Sequence, residues 1–204
     1  YNGQRFGKYP LGWPVVLSFG VRLGIHYLVN PLLAGLGLWL TYRLAKRALS
    51  ETVGLIAAGL TLTSPFFLMN SGSFLSHPLG LVLSAGFALG WLEGFTQPQS
   101  RNRWLTIISS AAALGLLTLT RPLSAAAVAA PFALHGLYLL WRGDADTRKR
   151  LVVFVLIVLA LTSLHFAWQY AVTGDALMNP YTLWWDYDKI GFGPGHGHSD
   201  EGHT

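Results

Sequence analysis

Long apolar runs separated by short polar loops account for most of the chain. Several runs are about 20 residues long and nearly free of charge, which is the length that an α-helix needs to cross the hydrocarbon core of a bilayer. The pattern therefore predicts an all-α, polytopic transmembrane helix bundle of about six spans. The predicted spans are residues 28–49, 52–69, 77–95, 104–120, 123–141 and 151–172.

A further apolar segment, residues 11–24, precedes the first span and is interrupted by Pro14, Gly20 and Arg22. Because its uninterrupted apolar stretch is too short to cross the bilayer, it predicts a short re-entrant or interfacial N-terminal helix, with a seventh span as the alternative. Asn30 followed by Pro31 is a helix-start signal, so the first long helix is expected to begin near these residues.

Positive charge is concentrated in alternate loops, which hold nine of the 14 Lys and Arg residues. These nine are Arg43, Lys46, Arg47, Arg101, Arg103, Arg142, Arg148, Lys149 and Arg150. Six spans place the three basic loops on one side, which the positive-inside rule makes cytoplasmic. The sequence thus predicts a membrane bundle over residues 1–172 and an extracytoplasmic loop over residues 173–204, rich in aromatic residues, glycine and histidine.

Composition supports the membrane class and excludes others. Only 11% of the residues are charged, against about 25% in an ordinary soluble domain. The net charge of +5 predicts no nucleic-acid partner, because topology already explains where the basic residues lie. The absence of cysteine excludes disulfide and thiolate chemistry. The chain begins with Tyr1 and shows no signal peptide, and we expect it to be a piece of a longer protein.

Candidate binding residues lie on the predicted outer side, where Lys8 occurs in "FGKYPLGWP", His77 in "SHP" and Arg121 in "LTRPLS". A cation near the hydrocarbon boundary is costly unless it snorkels or meets an anion. Ammonium and guanidinium groups make charge-assisted hydrogen bonds to phosphate oxygens, so these residues are candidate contacts for a lipid phosphate. The alternatives are headgroup anchors for the two cations and a helix cap or a buried, satisfied imidazole for His77.

The tail contains a second set of candidates for binding a substrate or a cation. Trp184 and Trp185 belong to an aromatic cluster that is either an interfacial belt or a platform for sugar rings or lipid. Asp186 and Asp188 are two residues apart and can converge on a cation or on hydroxyl groups, with plain solvation as the simpler interpretation. The glycines that follow allow tight turns but form no phosphate-binding loop.

Three histidines of the tail, His196, His198 and His203, have the ligand chemistry that zinc prefers. A divalent cation is therefore the only cofactor that the sequence suggests. Their spacing, H-x-H-x4-H, matches no specific metal motif, so a flexible, solvated loop is the favoured interpretation. No nucleophile elbow, Walker motif, dinucleotide fingerprint or HExxH occurs in the chain.

Several of these motifs together resemble a known family. "FGKYPLGWP" resembles a lysine-proline segment after the first outer loop of membrane glycosyltransferases with the GT-C fold. These include the family 39 protein mannosyltransferases and the aminoarabinose transferases that modify lipid A. "SPFF", "SHP" and "LTRPLSAAAVAAPF" follow in the same order as in those proteins. The similarity covers roughly residues 7–133 and extends more weakly into "YDKIGFGPGHG".

The resemblance implies transfer of a sugar from a polyprenyl-phosphate donor to an acceptor on the extracytoplasmic face of a cell membrane, such as the bacterial inner membrane. In that family basic residues hold the carrier phosphate, and Lys8 matches the family's lysine while Arg121 is a second candidate by position. The catalytic base is an acidic residue of the first outer loop. It is expected before Tyr1, so the sequence assigns no catalytic residue here.

Two other functions fit parts of the pattern. A non-catalytic scaffold subunit would pack into a larger membrane complex through the alanine-rich faces of the predicted spans, since small residues let helices approach closely in lipid. A transporter usually shows broken helices near mid-membrane and paired inverted halves, and the sequence shows no such halving. The scaffold is therefore the main alternative to the enzyme.

Overall fold

The computed structural model of the protein describes residues 6–96, 103–183, 187 and 191–197. These residues form eight α-helices, a short 3-10 helix and no strand, which confirms the predicted all-α class. The α-helices are α1 (Gly12–Arg22), α2 (His26–Ala48), α3 (Glu51–Thr63), α4 (Pro65–Ser71), α5 (His77–Thr96), α6 (Arg103–Thr120), α7 (Pro122–Arg142) and α8 (Ala145–Thr173). The 3-10 helix spans Pro180–Leu183.

Within the described part, four helices are long and apolar enough to cross a membrane, namely α5, α6, α7 and α8. Helices α3 and α4 qualify as a fifth span only as a bent pair, with an angle of 66° between them. Helix α2 has 23 residues, but Asn30 near its start and the three cations toward its end make it less apolar. The bundle therefore has four or five such spans instead of the predicted six.

The bend between α3 and α4 has a local cause at Ser64-Pro65. A residue before proline is pushed towards extended backbone, and Ser64 has φ −68° and ψ 121°. The Ser64 hydroxyl oxygen then accepts a hydrogen bond from the backbone N–H of Phe67, while Pro65 occupies the first turn of α4. We call this junction the elbow.

The predicted helix start at Asn30-Pro31 is wrong, because α2 begins at His26 and contains Pro31. Asn30 does not cap a helix. Its side-chain amide donates instead to the carbonyl oxygens of Ser73 (2.6 Å) and Leu75 (2.9 Å), in the loop between α4 and α5. A tertiary contact therefore uses the side chain that the sequence pattern assigned to local capping. The predicted short N-terminal helix is confirmed as α1, which has 11 residues.

The core lies along α5, which packs closely against α6. Gly90 and Gly94 permit this approach, since a Cβ atom on Gly90 would lie 2.8 Å from the Cβ of Ser110 and one on Gly94 would lie 2.7 Å from Cγ1 of Ile107. The Ser110 hydroxyl donates to the carbonyl oxygen of Phe87 at 2.8 Å. Such interhelical packing is the main source of association in lipid, where apolar burial alone drives little.

The bundle has two chemically different ends. At one end Arg43 pairs with Glu93 (3.2 Å), and Arg103 donates from Nε to the Gly94 carbonyl oxygen at 3.1 Å. At the other end lie the α4–α5 loop and Arg121, the single residue between α6 and α7. Arg43 and Arg103 at the first end are among the basic residues that the sequence predicts to be cytoplasmic. Arg121 lies at the opposite end of the bundle.

Helix α8 starts at a side-chain cap. The carboxylate of Asp144 accepts a hydrogen bond from the backbone N–H of Thr147 at 2.8 Å. Hydrogen bonds from the Thr147 hydroxyl and then from its backbone N–H hold the pKa of Asp144 below its usual value. The cap therefore stabilises the folded state more strongly when this carboxyl is ionised.

We expect Asp144→Ala to lower the midpoint of thermal unfolding in detergent near neutral pH. Because the folded-state pKa of Asp144 is lowered, its stabilisation is present above the usual carboxyl pKa and is lost as the pH falls through the folded-state value. The difference from the wild type should therefore shrink in acid. Asp144→Asn keeps a capping oxygen and is the matched control. A difference between Asp144→Ala and the wild type that stays constant down to acidic pH would contradict this assignment.

Candidate functional site

Arg121 occupies a constrained position. It is the only residue between the end of α6 at Thr120 and the start of α7 at Pro122, and its backbone is extended (φ −147°, ψ 79°), as a following proline favours. Its backbone N–H donates to the Leu117 carbonyl oxygen, and its own carbonyl oxygen accepts from Ala125. Both neighbouring helices therefore fix the backbone from which the guanidinium projects.

The guanidinium of Arg121 contacts the imidazole of His77, which begins α5. The distance from Nη1 of Arg121 to Nδ1 of His77 is 2.8 Å, and Nε of Arg121 lies 3.3 Å from the Ser124 hydroxyl. An arginine keeps its proton, so Nδ1 accepts and the ring carries its hydrogen on Nε2. Gly80 leaves room for this contact, since a Cβ atom there would lie 3.0 Å from Cδ of Arg121.

Arg121 has no ion-pair partner among the described residues, although it is only partly exposed. A guanidinium has five N–H donors, and two of them are used by His77 and Ser124. The remaining donors can bind an anion. A planar guanidinium suits the paired oxygens of a phosphate group particularly well.

The loop before His77 is anchored to the N-terminal part of the chain. The indole N–H of Trp13 donates to the carbonyl oxygen of Phe74 at 2.7 Å, and Asn30 holds the carbonyl oxygens on either side of it. Trp13 and Asn30 are both buried. These bonds fix the entry into α5, and with it the position of the imidazole that contacts Arg121.

A cavity of about 450 Å³ lies at the elbow, between α3, α4 and α5, and we call it the elbow cavity. It is lined by Leu60, Thr61, Ser64, Phe66, Phe67, Asn70, His77, Pro78 and Leu81. Most of these side chains are apolar, and the polar ones come from the elbow, from the end of α4 and from the start of α5. His77 belongs both to this cavity and to the contact with Arg121.

Lys8 has different neighbours. Its Nζ lies 4.8 Å from the ring centroid of Tyr181, and the rings of Tyr9 and Tyr181 meet edge to face at 5.6 Å. The contacts described for Lys8 and for Arg121 share no residue. Gly12, however, packs directly on Thr120, and four residues span at most about 14 Å. Lys8 therefore belongs to the same end of the bundle as Arg121.

Most tail candidates lie outside the described residues, namely Trp184, Trp185, Asp186, Asp188, His198 and His203. His196 is described and packs against the backbone of Gly191. No group of three metal-ligating side chains occurs among the residues that the structure describes. The expected tight turns are present, since Gly191, Gly193, Gly195 and Gly197 all have positive φ.

Sequence reasoning found Arg121 and His77 as separate candidates but not their contact, which joins residues 44 positions apart. It also missed Asn70 and Ser64, which line the elbow cavity. The dipeptide Ser64-Pro65 indicates a helix break, because a residue before proline disfavours helical backbone. Asn70 has no such signal, because a polar residue at the end of an apolar run is ordinarily part of a loop.

Comparison with known families identifies a matching family model. The family model described as dolichyl-phosphate-mannose-protein mannosyltransferase matches residues 15–179. Comparisons with curated proteins and with solved structures found no match. The matched region is well over half of the chain and includes His77 and Arg121, and it begins after Lys8. With its apolar helices, this multi-pass membrane protein belongs to the dolichyl-phosphate-mannose-protein mannosyltransferase family of membrane glycosyltransferases.

Proposed function

We propose that the protein is an integral membrane glycosyltransferase that moves a sugar from a polyprenyl-phosphate donor to an acceptor on the extracytoplasmic face. The observation that carries this proposal is Arg121, a guanidinium without an ion-pair partner among the described residues, held at a helix junction by His77. Such a group at the end of a membrane bundle fits the phosphate of a lipid carrier. Family membership independently supports sugar transfer.

The reaction that fits is a single inverting displacement. A hydroxyl oxygen of the acceptor attacks the anomeric carbon of the sugar, the bond from that carbon to the phosphate oxygen breaks, and the polyprenyl phosphate leaves with the bonding electrons. The hydroxyl proton passes to a general base, for which an acidic side chain is suited. The role of Arg121 is to stabilise the charge that grows on the leaving phosphate, with His77 positioning the guanidinium. We place Lys8 as a second cation for the same phosphate.

A non-catalytic scaffold subunit is the second candidate. Helices α7 and α8 support it, because only 11% of each apolar span is buried inside the bundle. These faces suit either lipid or the helices of a larger membrane complex. Direct measurement of sugar transfer separates the two candidates.

We expect Arg121→Ala in the full-length protein to lower kcat/KM by about 100-fold with a polyprenyl-phosphate sugar as donor, because one charge-stabilising contact in the transition state is lost. Arg121→Lys restores the charge but not the paired geometry and should recover part of the rate. Arg142→Ala is the control, since Arg142 stacks on Trp141 at a distance of 4.0 Å and lies at the other end of α7. Equal rates for Arg121→Ala and the control would remove Arg121 from the site.

We expect Lys8→Ala to lower kcat/KM less than Arg121→Ala does, since the ammonium group of Lys8 also stacks on Tyr181. Lys8→Ala should raise KM for the donor more than it lowers kcat, as loss of a ground-state phosphate contact does. The matched variant Tyr181→Leu removes the stacking partner and keeps the charge. Unchanged kcat and KM in Lys8→Ala would leave Lys8 as a headgroup anchor.

The proposed sidedness can be tested by cysteine labelling, because the chain has no cysteine of its own. Gly72→Cys probes the exposed α4–α5 loop, and Ala145→Cys probes the exposed first turn of α8. In intact cells a membrane-impermeant maleimide should label position 72 and reach position 145 only after permeabilisation. The reverse pattern of labelling would place the Arg121 end of the bundle in the cytoplasm.

A further inference from the structure

We propose that the elbow cavity holds the sugar ring of the donor and that Asn70 determines which sugar is accepted, by receiving a hydrogen bond from a hydroxyl group of that ring. This inference rests on the proposed function, in which the donor is a lipid-linked sugar phosphate.

The first support is a buried, unsatisfied acceptor on a residue that lines the cavity. Asn70 is 8% exposed, and its amide nitrogen donates to the carbonyl oxygen of Phe66, one turn earlier in α4, at 2.8 Å. Its Oδ1 is buried and has no hydrogen-bond partner among the described residues. An unpaired carbonyl oxygen is costly in apolar surroundings, so this position favours a ligand that brings a donor.

The second support is the mixture of groups around Asn70. The Ser64 oxygen accepts from the backbone of Phe67, which leaves its O–H free to donate into the cavity. His77 accepts at Nδ1 and therefore offers an N–H at Nε2. A sugar hydroxyl both donates and accepts, and the apolar C–H faces of a sugar ring suit the aromatic wall formed by Phe66 and Phe67.

These polar groups distinguish a sugar from the isoprenoid chain of the same donor. An isoprenoid has no hydrogen-bonding atoms, so it would leave the oxygen of Asn70 unpaired in hydrocarbon. The volume of about 450 Å³ also lies within the range of about 300–1,000 Å³ that is usual for small-molecule pockets. The polar groups in its otherwise apolar lining therefore fit the sugar better than the isoprenoid chain.

The third support is the position of the cavity relative to Arg121. In a sugar 1-phosphate, a single oxygen atom separates the ring from the phosphorus. His77 contacts Arg121 and also lines the cavity. A phosphate bound by Arg121 consequently places the attached ring next to His77, which lines the elbow cavity. Asn70 then contacts a hydroxyl on the part of the ring that points into the cavity.

The experiment compares donors that lack one hydroxyl each, with the full-length protein and the variant Asn70→Leu. We expect the wild type to lose about 10-fold or more in kcat/KM with one of the deoxy donors. Asn70→Leu should show a similar loss with the complete donor and no further loss with that deoxy donor. Asn70→Asp retains an acceptor of the same shape and should keep the discrimination. Thr63→Val is the control, because Thr63 lies beside the elbow, is exposed and bonds only to its own helix.

The same data can overturn the inference in two ways. If Asn70→Leu lowers kcat/KM but retains the wild-type discrimination among deoxy donors, Asn70 does not contact the sugar. If its effect depends instead on the length of the prenyl chain, the cavity binds the lipid. Should Asn70→Leu fail to fold, Asn70→Ser shortens the side chain and undergoes the same comparison. If the wild type transfers sugar from none of the donors, the proposed function itself is contradicted. If transfer is retained and Asn70→Leu discriminates among the deoxy donors as the wild type does, only the role of Asn70 is contradicted.

Discussion

The site depends on one constraint, which is a permanent positive charge at the point where two long apolar helices meet. Arginine keeps its proton under all physiological conditions, and Arg121 is the only residue between α6 and α7. Two of its donors are taken by His77 and Ser124. The remaining N–H donors can bind an anion, and in the proposed function that anion is the phosphate of a lipid carrier.

The packing of the bundle serves to keep that charge in place. Glycines of α5 bring α6 close, and the Ser110 hydroxyl ties α6 to the backbone of α5. His77 lies at the start of α5, and Trp13 and Asn30 hold the loop that leads into it. The imidazole thus lies at the start of α5, and the guanidinium directly follows α6, which packs closely against α5. Residues far apart in the sequence therefore meet in a fixed geometry.

The sequence predicted the class of fold and the four helices that are long and apolar enough to cross a membrane, because bilayer thickness sets the length of an apolar run. It placed the start of α2 wrongly, since Asn30 is used in a tertiary contact that local patterns do not contain. Arg121 and His77 were recognisable as costly polar residues at span ends. Their pairing and the role of Asn70 in a cavity wall depend on how α3, α4 and α5 pack, and no single-sequence pattern specifies that arrangement.

Arg121 is the single residue that joins α6 to α7, so the length of α6 determines how far Arg121 lies from the other end of that helix. Helix α6 has 18 residues, which corresponds to about 27 Å and nearly matches a hydrocarbon thickness of about 30 Å. Helix α6 is therefore long enough to separate Arg103 at its start from Arg121 after its end by nearly the thickness of the hydrocarbon core. One additional turn would move Arg121 by about 5 Å along the helix axis, and under the proposed function this would displace the guanidinium from the carrier phosphate.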